Sequence, residues 1–181
     1  MPGRKAEFSD RREAGRRLAA ELSHLQDEHP VVLALPRGGV PVAFEVAKAL
    51  SAPLDLLMVR KLGAPGHAEL GIGAVVDGSD PQIVLNDEAM GIIKPSSDYV
   101  HSEMERQLAE IDRRRAAYFA NHDPTPIAGR TVILVDDGIA TGGTVRVALK
   151  ALRRSSAARI VLAVPVAPRD TLDALHDDAD E

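Results

Sequence analysis

The segment with the most chemically capable side chains is residues 132–144, with the sequence Val-Ile-Leu-Val-Asp-Asp-Gly-Ile-Ala-Thr-Gly-Gly-Thr. Its four leading apolar residues are typical of a buried strand. Such a strand would deliver the two adjacent carboxylates, Asp136 and Asp137, to its carboxyl end. There they can accept hydrogen bonds from neighbouring hydroxyls, such as those of a ribose, or face a metal ion.

A loop of small residues follows this acid pair and opens a predicted helix; it consists of Ala140, Thr141, Gly142, Gly143 and Thr144. Its glycines let backbone amides approach an anion, and the positive end of the helix dipole favours negative charge there. The threonines add hydroxyl donors. The whole run suits a sugar phosphate, with the carboxylates for the diol and the loop for the phosphate. The alternative is an ordinary strand–turn–helix in which Asp137 only caps the helix.

Two further segments carry groups that suit a pyrophosphate. The apolar run 31–35 is followed by Arg37, Gly38 and Gly39. The glycines allow the backbone to approach an anion closely, and the guanidinium group of Arg37 supplies a forked positive charge. An ordinary β–α turn is the alternative. Arg60 and Lys61 follow a second apolar run, and for them the alternative is a solvated pair. A dinucleotide-binding site is not predicted, because the Gly-x-Gly-x-x-Gly pattern is absent.

Strand-like and helical patterns alternate along the chain, which predicts an α/β domain with a mainly parallel sheet flanked by helices. Strands are predicted at 31–35, 54–59, 131–135 and 160–166. Helices are predicted at 11–25 (with Asp10 and Glu13 as a capping box), 40–50, 97–119, around 145–152 and 171–175. The candidate segments then lie beyond the carboxyl ends of the strands, where ligands bind in such sheets.

Residues 62–82 are rich in glycine, and we interpret them as a long flexible loop that contains a short hairpin of 72–76 against 82–85. Glu69, with His67 beside it, is the acidic residue near its tip.

Composition limits the function classes. The 181 residues predict a single domain, 1–181, and a net charge of −5 with 3% aromatic residues argues against a nucleic-acid partner. The absence of cysteine excludes disulfides, zinc–thiolate sites and thiol nucleophiles. No apolar run is long enough for a membrane span, and the amino terminus does not resemble a secretory signal. We therefore expect a cytoplasmic enzyme or binding protein with no membrane partner.

The run 132–144 resembles the phosphoribosyl-pyrophosphate (PRPP) signature of the type I phosphoribosyltransferases. The resemblance implies that Asp136 and Asp137 bind the ribose hydroxyls and that residues 140–144 hold the 5′-phosphate. It implies that the loop 36–39, where the family often has a non-proline cis peptide, binds pyrophosphate together with Arg60 and Lys61. The glycine-rich stretch with Glu69 takes the place of the family's flexible catalytic loop. Gly138 departs from the family pattern, which has a larger apolar residue there.

The order of segments over residues 8–176 looks most like a group of bacterial phosphoribosyltransferase-domain proteins whose substrate is not assigned. The matching phrases are Phe8-Ser9-Asp10-Arg11, Leu35-Pro36-Arg37-Gly38-Gly39-Val40-Pro41, Val59-Arg60-Lys61-Leu62-Gly63-Ala64-Pro65-Gly66 and the PRPP run. Such proteins usually continue with another strand and a tail, so we expect that part of the carboxyl-terminal hood is missing.

The implied activity is transfer of a ribosyl 5-phosphate group from PRPP to a nitrogenous base, with release of pyrophosphate. Asp136, Asp137, Arg60 and Lys61 are the implied catalytic residues, and Mg²⁺ is held mainly through PRPP, near the acid pair. Ala140 stands where the 6-oxopurine enzymes have an aspartate, which argues against that substrate class. A homodimer is one open alternative for the assembly.

Two other functions stay open: a non-catalytic sensor of PRPP or nucleotides, and a nucleotide hydrolase that uses the acid pair. Weaker features have simpler interpretations. His101 and Glu105 are expected to form a surface pair, residues 113–115 to be a solvated face of arginines, and Tyr118 and Phe119 to pack.

Overall fold

The computed structural model describes residues 7–118 and 123–181. The strands are β1 (Val31–Ala34), β2 (Leu54–Leu56), β3 (Val59–Ala64), β4 (His67–Val76), β5 (Gln82–Leu85), β6 (Thr131–Val135) and β7 (Arg159–Ala163). The helices are α1 (Arg11–Glu21), α2 (Gly39–Leu50), α3 (Asp87–Ile93), α4 (Ser97–Tyr118), α5 (Gly143–Arg154) and α6 (Arg169–Leu175). A 3-10 helix, Ser23–Glu28, follows α1.

Four parallel strands form the main sheet in the order β2-β1-β6-β7. Ala34 at the end of β1 pairs with Val135 at the end of β6, so the loops that follow these two strands leave the sheet side by side. The amide of Leu35 also donates to the carbonyl of Val135, at 2.9 Å. The predicted α/β class with a parallel sheet flanked by helices is confirmed.

Both faces of this sheet are buried, which explains why β1 and β6 are continuous apolar runs. Val32 and Ile133 face the side covered by α1, α2 and α4, whereas Leu33 and Leu134 face the side covered by α5. Helices α1 and α2 approach closely at Gly15, where a Cβ would lie 2.7 Å from the carbonyl oxygen of Val42. Half of the predicted capping box of α1 is confirmed, since Asp10 accepts from the amide of Glu13 at 2.8 Å. The carboxylate of Glu13 accepts instead from the amide of Ser9, at 2.6 Å.

A second, antiparallel sheet of β3, β4 and β5 occupies most of the segment predicted to be a loop. The hairpin partners 72–76 and 82–85 are confirmed, but the loop over 62–82 is wrong for most of its length. The predicted strand 54–59 is also wrong as one element, because β2 joins the main sheet and β3 the second.

The glycines of this hairpin allow strands to approach closely. A Cβ at Gly63 would lie 2.8 Å from the Cα of Ala68, and one at Gly73 would lie 2.6 Å from the carbonyl oxygen of Val84. Glycine richness therefore reflects backbone contact within a bulged hairpin. Movement of this hairpin remains a prediction.

Arg115 on α4 is buried, which corrects the prediction that residues 113–115 form a solvated face of arginines. Arg115 donates to Asp55 at 2.8 Å, to Asp77 at 3.2 Å and to the carbonyl of Leu56 at 3.0 Å. Its position follows Ile111 by one turn on the buried face, so periodicity places it inside, where two aspartates compensate its charge. Tyr118, expected to pack, is instead 51% exposed, and Phe119 lies outside the described residues.

Several element ends differ from prediction. Helix α1 ends at Glu21, β7 ends at Ala163 before Pro165, and α6 begins at Arg169. Helix α3 was not predicted; the side chain of Asn86 caps it by accepting from the amide of Ala89 at 3.1 Å. Among the described residues, no helix is both long enough and apolar enough to cross a membrane.

Candidate functional site

The acid pair packs directly against the loop between β1 and α2. A Cβ at Gly38 would lie 2.4 Å from Oδ2 of Asp137, and one at Gly39 would lie 2.7 Å from the carbonyl oxygen of Val135. A side chain at either position would force these neighbouring atoms to shift, so the loop 36–39 and the acid pair form a single surface. The peptide bond Pro36–Arg37 is cis, as the resemblance implies for this loop.

Asp136 lies at the end of β6 in a partly buried position. Its Oδ1 accepts from the backbone amide of Asp137 at 2.8 Å. Burial, with a contribution from the neighbouring Asp137 charge, raises the pKa of Asp136 to about 6. A hydroxyl donor or a cation next to Asp136 would stabilise its ionised form, which burial disfavours.

Asp137 has a partner that the sequence reasoning missed. Arg11, in the first turn of α1, places both Nε and Nη2 at 2.8 Å from Oδ2 of Asp137. The two residues are 126 positions apart. The only signal in the sequence was the phrase Phe8-Ser9-Asp10-Arg11, which had no assigned role.

The loop 140–144 leads into the first turn of α5. Gly142 has a φ of +76° and caps the helix, and a Cβ there would lie 2.9 Å from Cγ2 of Thr171. Thr171 on α6 also donates its hydroxyl to the carbonyl of Ala140, at 2.9 Å. At Gly143, by contrast, no described atom lies within 4 Å of an added Cβ, so the first turn of α5 is open to a ligand.

Gly138, which departs from the family pattern, has a compensating neighbour. A Cβ at this position would lie 2.9 Å from Cγ2 of Val166, and the amide of Ile139 donates to the carbonyl of Val166 at 3.0 Å. Val166 therefore occupies the space that a larger residue at position 138 would take, and the turn stays hydrogen-bonded.

Arg60 and Lys61 lie on opposite faces of β3, as successive residues of a strand do. Arg60 lines a groove together with Arg37, while Lys61 lines a different groove together with Gly143 and Thr144. The structure thus places Arg60 beside the candidate pyrophosphate loop and Lys61 beside the candidate phosphate loop.

Glu69 on β4 holds Lys61 at the second groove. The Nζ of Lys61 donates to the backbone carbonyl of Glu69 at 2.6 Å and lies 3.6 Å from its carboxylate. The carboxylate itself is fully exposed.

The two carboxylates of the acid pair suit a Mg²⁺ ion that takes its remaining ligands from water and substrate. Within residues 7–118 and 123–181, no group of three or more His, Cys, Asp or Glu side chains could hold a metal ion. Mg²⁺ commonly uses one or two carboxylates and completes its shell with water and substrate oxygens. Asp136 and Asp137 offer such carboxylates. His101 and Glu105 are a surface pair, 3.4 Å apart and both 66% exposed.

Comparison with known proteins gives a consistent result. The family described as phosphoribosyl transferase domain matches residues 7–180. A Mycobacterium tuberculosis protein provisionally named a phosphoribosyl transferase is 46% identical over 174 residues, which cover 96% of this chain and 39% of that protein. The chain therefore spans about two fifths of the length of the curated relatives it matches.

Solved structures share the fold. The crystal structure of TT1426 from Thermus thermophilus has a TM-score of 0.79 and 41% identity, and the match covers 96% of this chain and 82% of that one. Phosphoribosylpyrophosphate synthetase from Mycobacterium smegmatis has a TM-score of 0.51 at 19% identity, over 92% of this chain and 38% of that one. With a family match that extends over nearly all of its length, the chain belongs to the phosphoribosyl transferase domain family.

Proposed function

We propose that this domain is a PRPP-dependent phosphoribosyltransferase that uses Mg²⁺ and transfers the ribosyl 5-phosphate group to a nitrogenous base. The observation that carries the proposal is the contact between Gly38 and Asp137. It joins the candidate pyrophosphate loop to the acid pair, and the phosphate loop 140–144 continues directly from that pair. Three groups that suit the three parts of PRPP thus meet at one edge of the sheet.

Each part of the substrate has a matching group. The carboxylates of Asp136 and Asp137 would accept hydrogen bonds from the ribose hydroxyls. The amides and hydroxyls of residues 140–144 would hold the 5′-phosphate, together with Lys61, which lines the same groove as Thr144. Arg37, Arg60 and the amides of Gly38 and Gly39 would hold the pyrophosphate.

In the transfer step, the bond between ribose C1 and the pyrophosphate oxygen breaks, and its electron pair leaves with the oxygen. A lone pair on a ring nitrogen of the base forms the new bond to C1, and the proton of that nitrogen goes to solvent. The chain contributes by positioning the ribose and by stabilising charge on the departing pyrophosphate. Arg37 and Arg60 are the residues placed to meet that charge.

Mg²⁺ would be held at Asp136 and Asp137 and by oxygens of PRPP. When bound, it would neutralise charge on the pyrophosphate and make it a better leaving group. Asp136 suits this role because its ionised form, disfavoured by burial, is stabilised by a cation.

The first test is calorimetric titration with PRPP in the presence of Mg²⁺. We expect saturable one-site binding to the wild type and a loss of affinity of about 100-fold or more in Asp136→Asn/Asp137→Asn, because two charge-assisted contacts are lost. The matched control is Asp112→Asn/Asp177→Asn, which removes the same charge from two exposed positions. Absence of binding to the folded wild type, or equal loss in both variants, would overturn the site assignment.

The second test asks whether the bound PRPP turns over. Release of pyrophosphate would be followed with a panel of purine, pyrimidine and pyridine bases. Base-dependent release that is lost in Asp136→Asn/Asp137→Asn would support the transferase. Tight binding of PRPP without release for any base would support the alternative, a non-catalytic sensor.

A further inference from the structure

A groove beside the loop 36–39 concentrates positive charge in an acidic protein. It has a volume of about 390 Å³, within the range of small-molecule pockets. Among the described residues, four arginines line it and no acidic side chain does: Arg37, Arg60, Arg113 and Arg114. The whole chain carries a net charge of −5, so composition alone does not explain this concentration.

Helix α4 orients three of these four arginines. Gln107 accepts from Nε of Arg60 at 2.9 Å, and Glu110 accepts from Nε of Arg113 at 2.8 Å and from Nε of Arg114 at 2.7 Å. These bonds leave further Nη donors of each guanidinium available for a ligand.

The acceptors on α4 are themselves fixed. Gln107 is buried and donates through Nε2 to Glu103 at 2.9 Å, which determines that its oxygen faces Arg60. Hydrogen bonds from Arg113 and Arg114 lower the pKa of Glu110 to about 2, so it remains ionised. One carboxylate nevertheless serves two guanidinium groups, which leaves one positive charge in excess.

The fourth arginine, Arg37, is exposed, and its guanidinium has no hydrogen-bond partner in the part of the chain that the structure describes. The proposed pyrophosphate site uses Arg37 and Arg60. It does not use Arg113 and Arg114, which lie in the same groove. The groove therefore holds more arginines than a pyrophosphate requires.

We propose that this groove binds a polyphosphate chain of three or more phosphates, with Arg113 and Arg114 holding the phosphates beyond those at Arg37 and Arg60. Planar guanidinium groups match phosphate oxygens in pairs, and several of them in one groove suit a ligand that carries several phosphates. Such a ligand would exclude PRPP because it shares Arg37 and Arg60; this competition alone rests on the proposed function.

The chain can come from two sources, an inorganic polyphosphate or a nucleoside triphosphate. Tyr118 lines the same groove and is 51% exposed, so its ring offers a stacking face for a base. The shared chemistry is the row of phosphates, and the experiment below distinguishes the sources.

Calorimetry with inorganic tripolyphosphate, at constant Mg²⁺ and ionic strength, tests the groove. We expect Arg113→Gln/Arg114→Gln to weaken tripolyphosphate binding about tenfold or more and to change the affinity for PRPP less than about threefold. The matched control is Arg153→Gln/Arg154→Gln, an adjacent pair at the end of α5 that lies outside the groove. It should leave both affinities unchanged.

A second variant, Arg113→Lys/Arg114→Lys, keeps the charge but removes the fork, and we expect an intermediate affinity for tripolyphosphate. The proposal is overturned if the wild type does not bind tripolyphosphate, or if Arg113→Gln/Arg114→Gln binds it with wild-type affinity. It is also overturned if the affinity of that variant for PRPP falls as much as its affinity for tripolyphosphate. If PRPP fails to bind while tripolyphosphate binding depends on Arg113 and Arg114, the proposed function fails and this inference stands.

The affinity for ATP distinguishes a nucleoside triphosphate from an inorganic polyphosphate as the source of the phosphate chain. Tighter binding of ATP than of tripolyphosphate, reduced by Tyr118→Ala, supports the groove as a nucleotide site. Equal affinities that are unaffected by Tyr118→Ala support it as a site for a free polyphosphate.

Discussion

Two pairs of aspartates in this protein differ in what satisfies their oxygens. Asp55 and Asp77 are buried, and they share Arg115 between them. Asp55 also accepts from the amide of Thr125, at 2.6 Å, and Asp77 accepts from the amide of Met58 at 2.6 Å. Asp136 and Asp137 instead lie at the edge of the sheet, and their only cationic partner among the described residues is Arg11, which is exposed.

The same type of side chain is therefore satisfied within the fold in one place and available to a ligand in another. Burial raises the pKa of Asp77 and of Asp136 to about 6 in each case. At Asp77 the chain supplies the compensating arginine and amide. At Asp136 the chain supplies the amide of Asp137 but, among the described residues, no cationic side chain, so a ligand or cation can take that place.

The largest expected effect is the loss of stability when Arg115 is removed from the buried aspartate pair. Arg115→Ala removes a hydrogen-bonded positive charge from two buried carboxylates, and we expect it to lower the free energy of unfolding by about 3–5 kcal/mol. Chemical denaturation measures the change. Arg114→Ala is the control, because its pair with Glu110 is on the surface and should be worth less than about 1 kcal/mol. Equal losses for the two variants would remove the structural role of the buried cluster.

The second prediction compares one variant from each pair by its ligand affinity and by its stability. Asp137→Asn should weaken binding of Mg²⁺ and PRPP about tenfold or more and change stability little, because the side chain is partly exposed. Asp55→Asn should do the reverse, since it disrupts buried bonds away from the candidate site. Calorimetry and denaturation on both variants check this. A variant that lost both properties to the same degree would contradict the division of roles.

The third prediction tests the contact that joins the loop to the acid pair. In Gly38→Ala the new Cβ would lie 2.4 Å from Oδ2 of Asp137, so the carboxylate must shift. We expect about tenfold weaker binding of PRPP in a protein that still folds. Gly91→Ala on α3 is the control, because nothing lies within 4 Å of its added Cβ. If the affinity in Gly38→Ala equals that in Gly91→Ala, the contact does not position Asp137.

The smallest effect concerns pH. The pKa of Asp136 is about 6 in the folded chain, above the value near 4 expected for an unfolded one. The folded state therefore binds more protons between about pH 4 and 6, and stability decreases as pH rises through that window. Asp136→Asn cannot ionise, so we expect a gain of about 1 kcal/mol above about pH 7, discounted for partial exposure, and none near pH 4.

Denaturation curves at several pH values measure this difference. Asp112→Asn, at an exposed position on α4, should show no such pH dependence. A gain in Asp136→Asn that persisted unchanged at about pH 4 would show that the charge of Asp136 is not its cause.

Local patterns predicted much of the fold. Strand β6 was predicted at 131–135 and lies there, because an apolar β-branched run that is buried on both faces needs no distant partner to be recognised. The candidate loops 36–39 and 140–144 followed from small residues placed after such runs. Their adjacency followed from the rule that ligands bind at the carboxyl ends of parallel strands.

Contacts between distant segments were not predictable from these patterns. Thr171 contacts the candidate phosphate loop from 31 positions away, and Arg11 reaches Asp137 across 126 positions. Neither residue belongs to a periodic pattern that would indicate its partner. The hairpin of β3 and β4 was missed for a related reason, since glycine required for close strand contact looks the same in a sequence as glycine in a loop.

By itself, the amino-acid sequence determined the alternation of strands and helices, the acid pair at the end of β6, and the glycine-bearing loops beside it. These features depend on residue type and short spacing. Only the tertiary structure decided that Arg60 and Lys61 face different grooves, that Arg115 is buried, and that Asp137 rests on Gly38. Those outcomes depend on which surfaces meet when the sheet and helices pack, and residues far apart in the chain then share one environment.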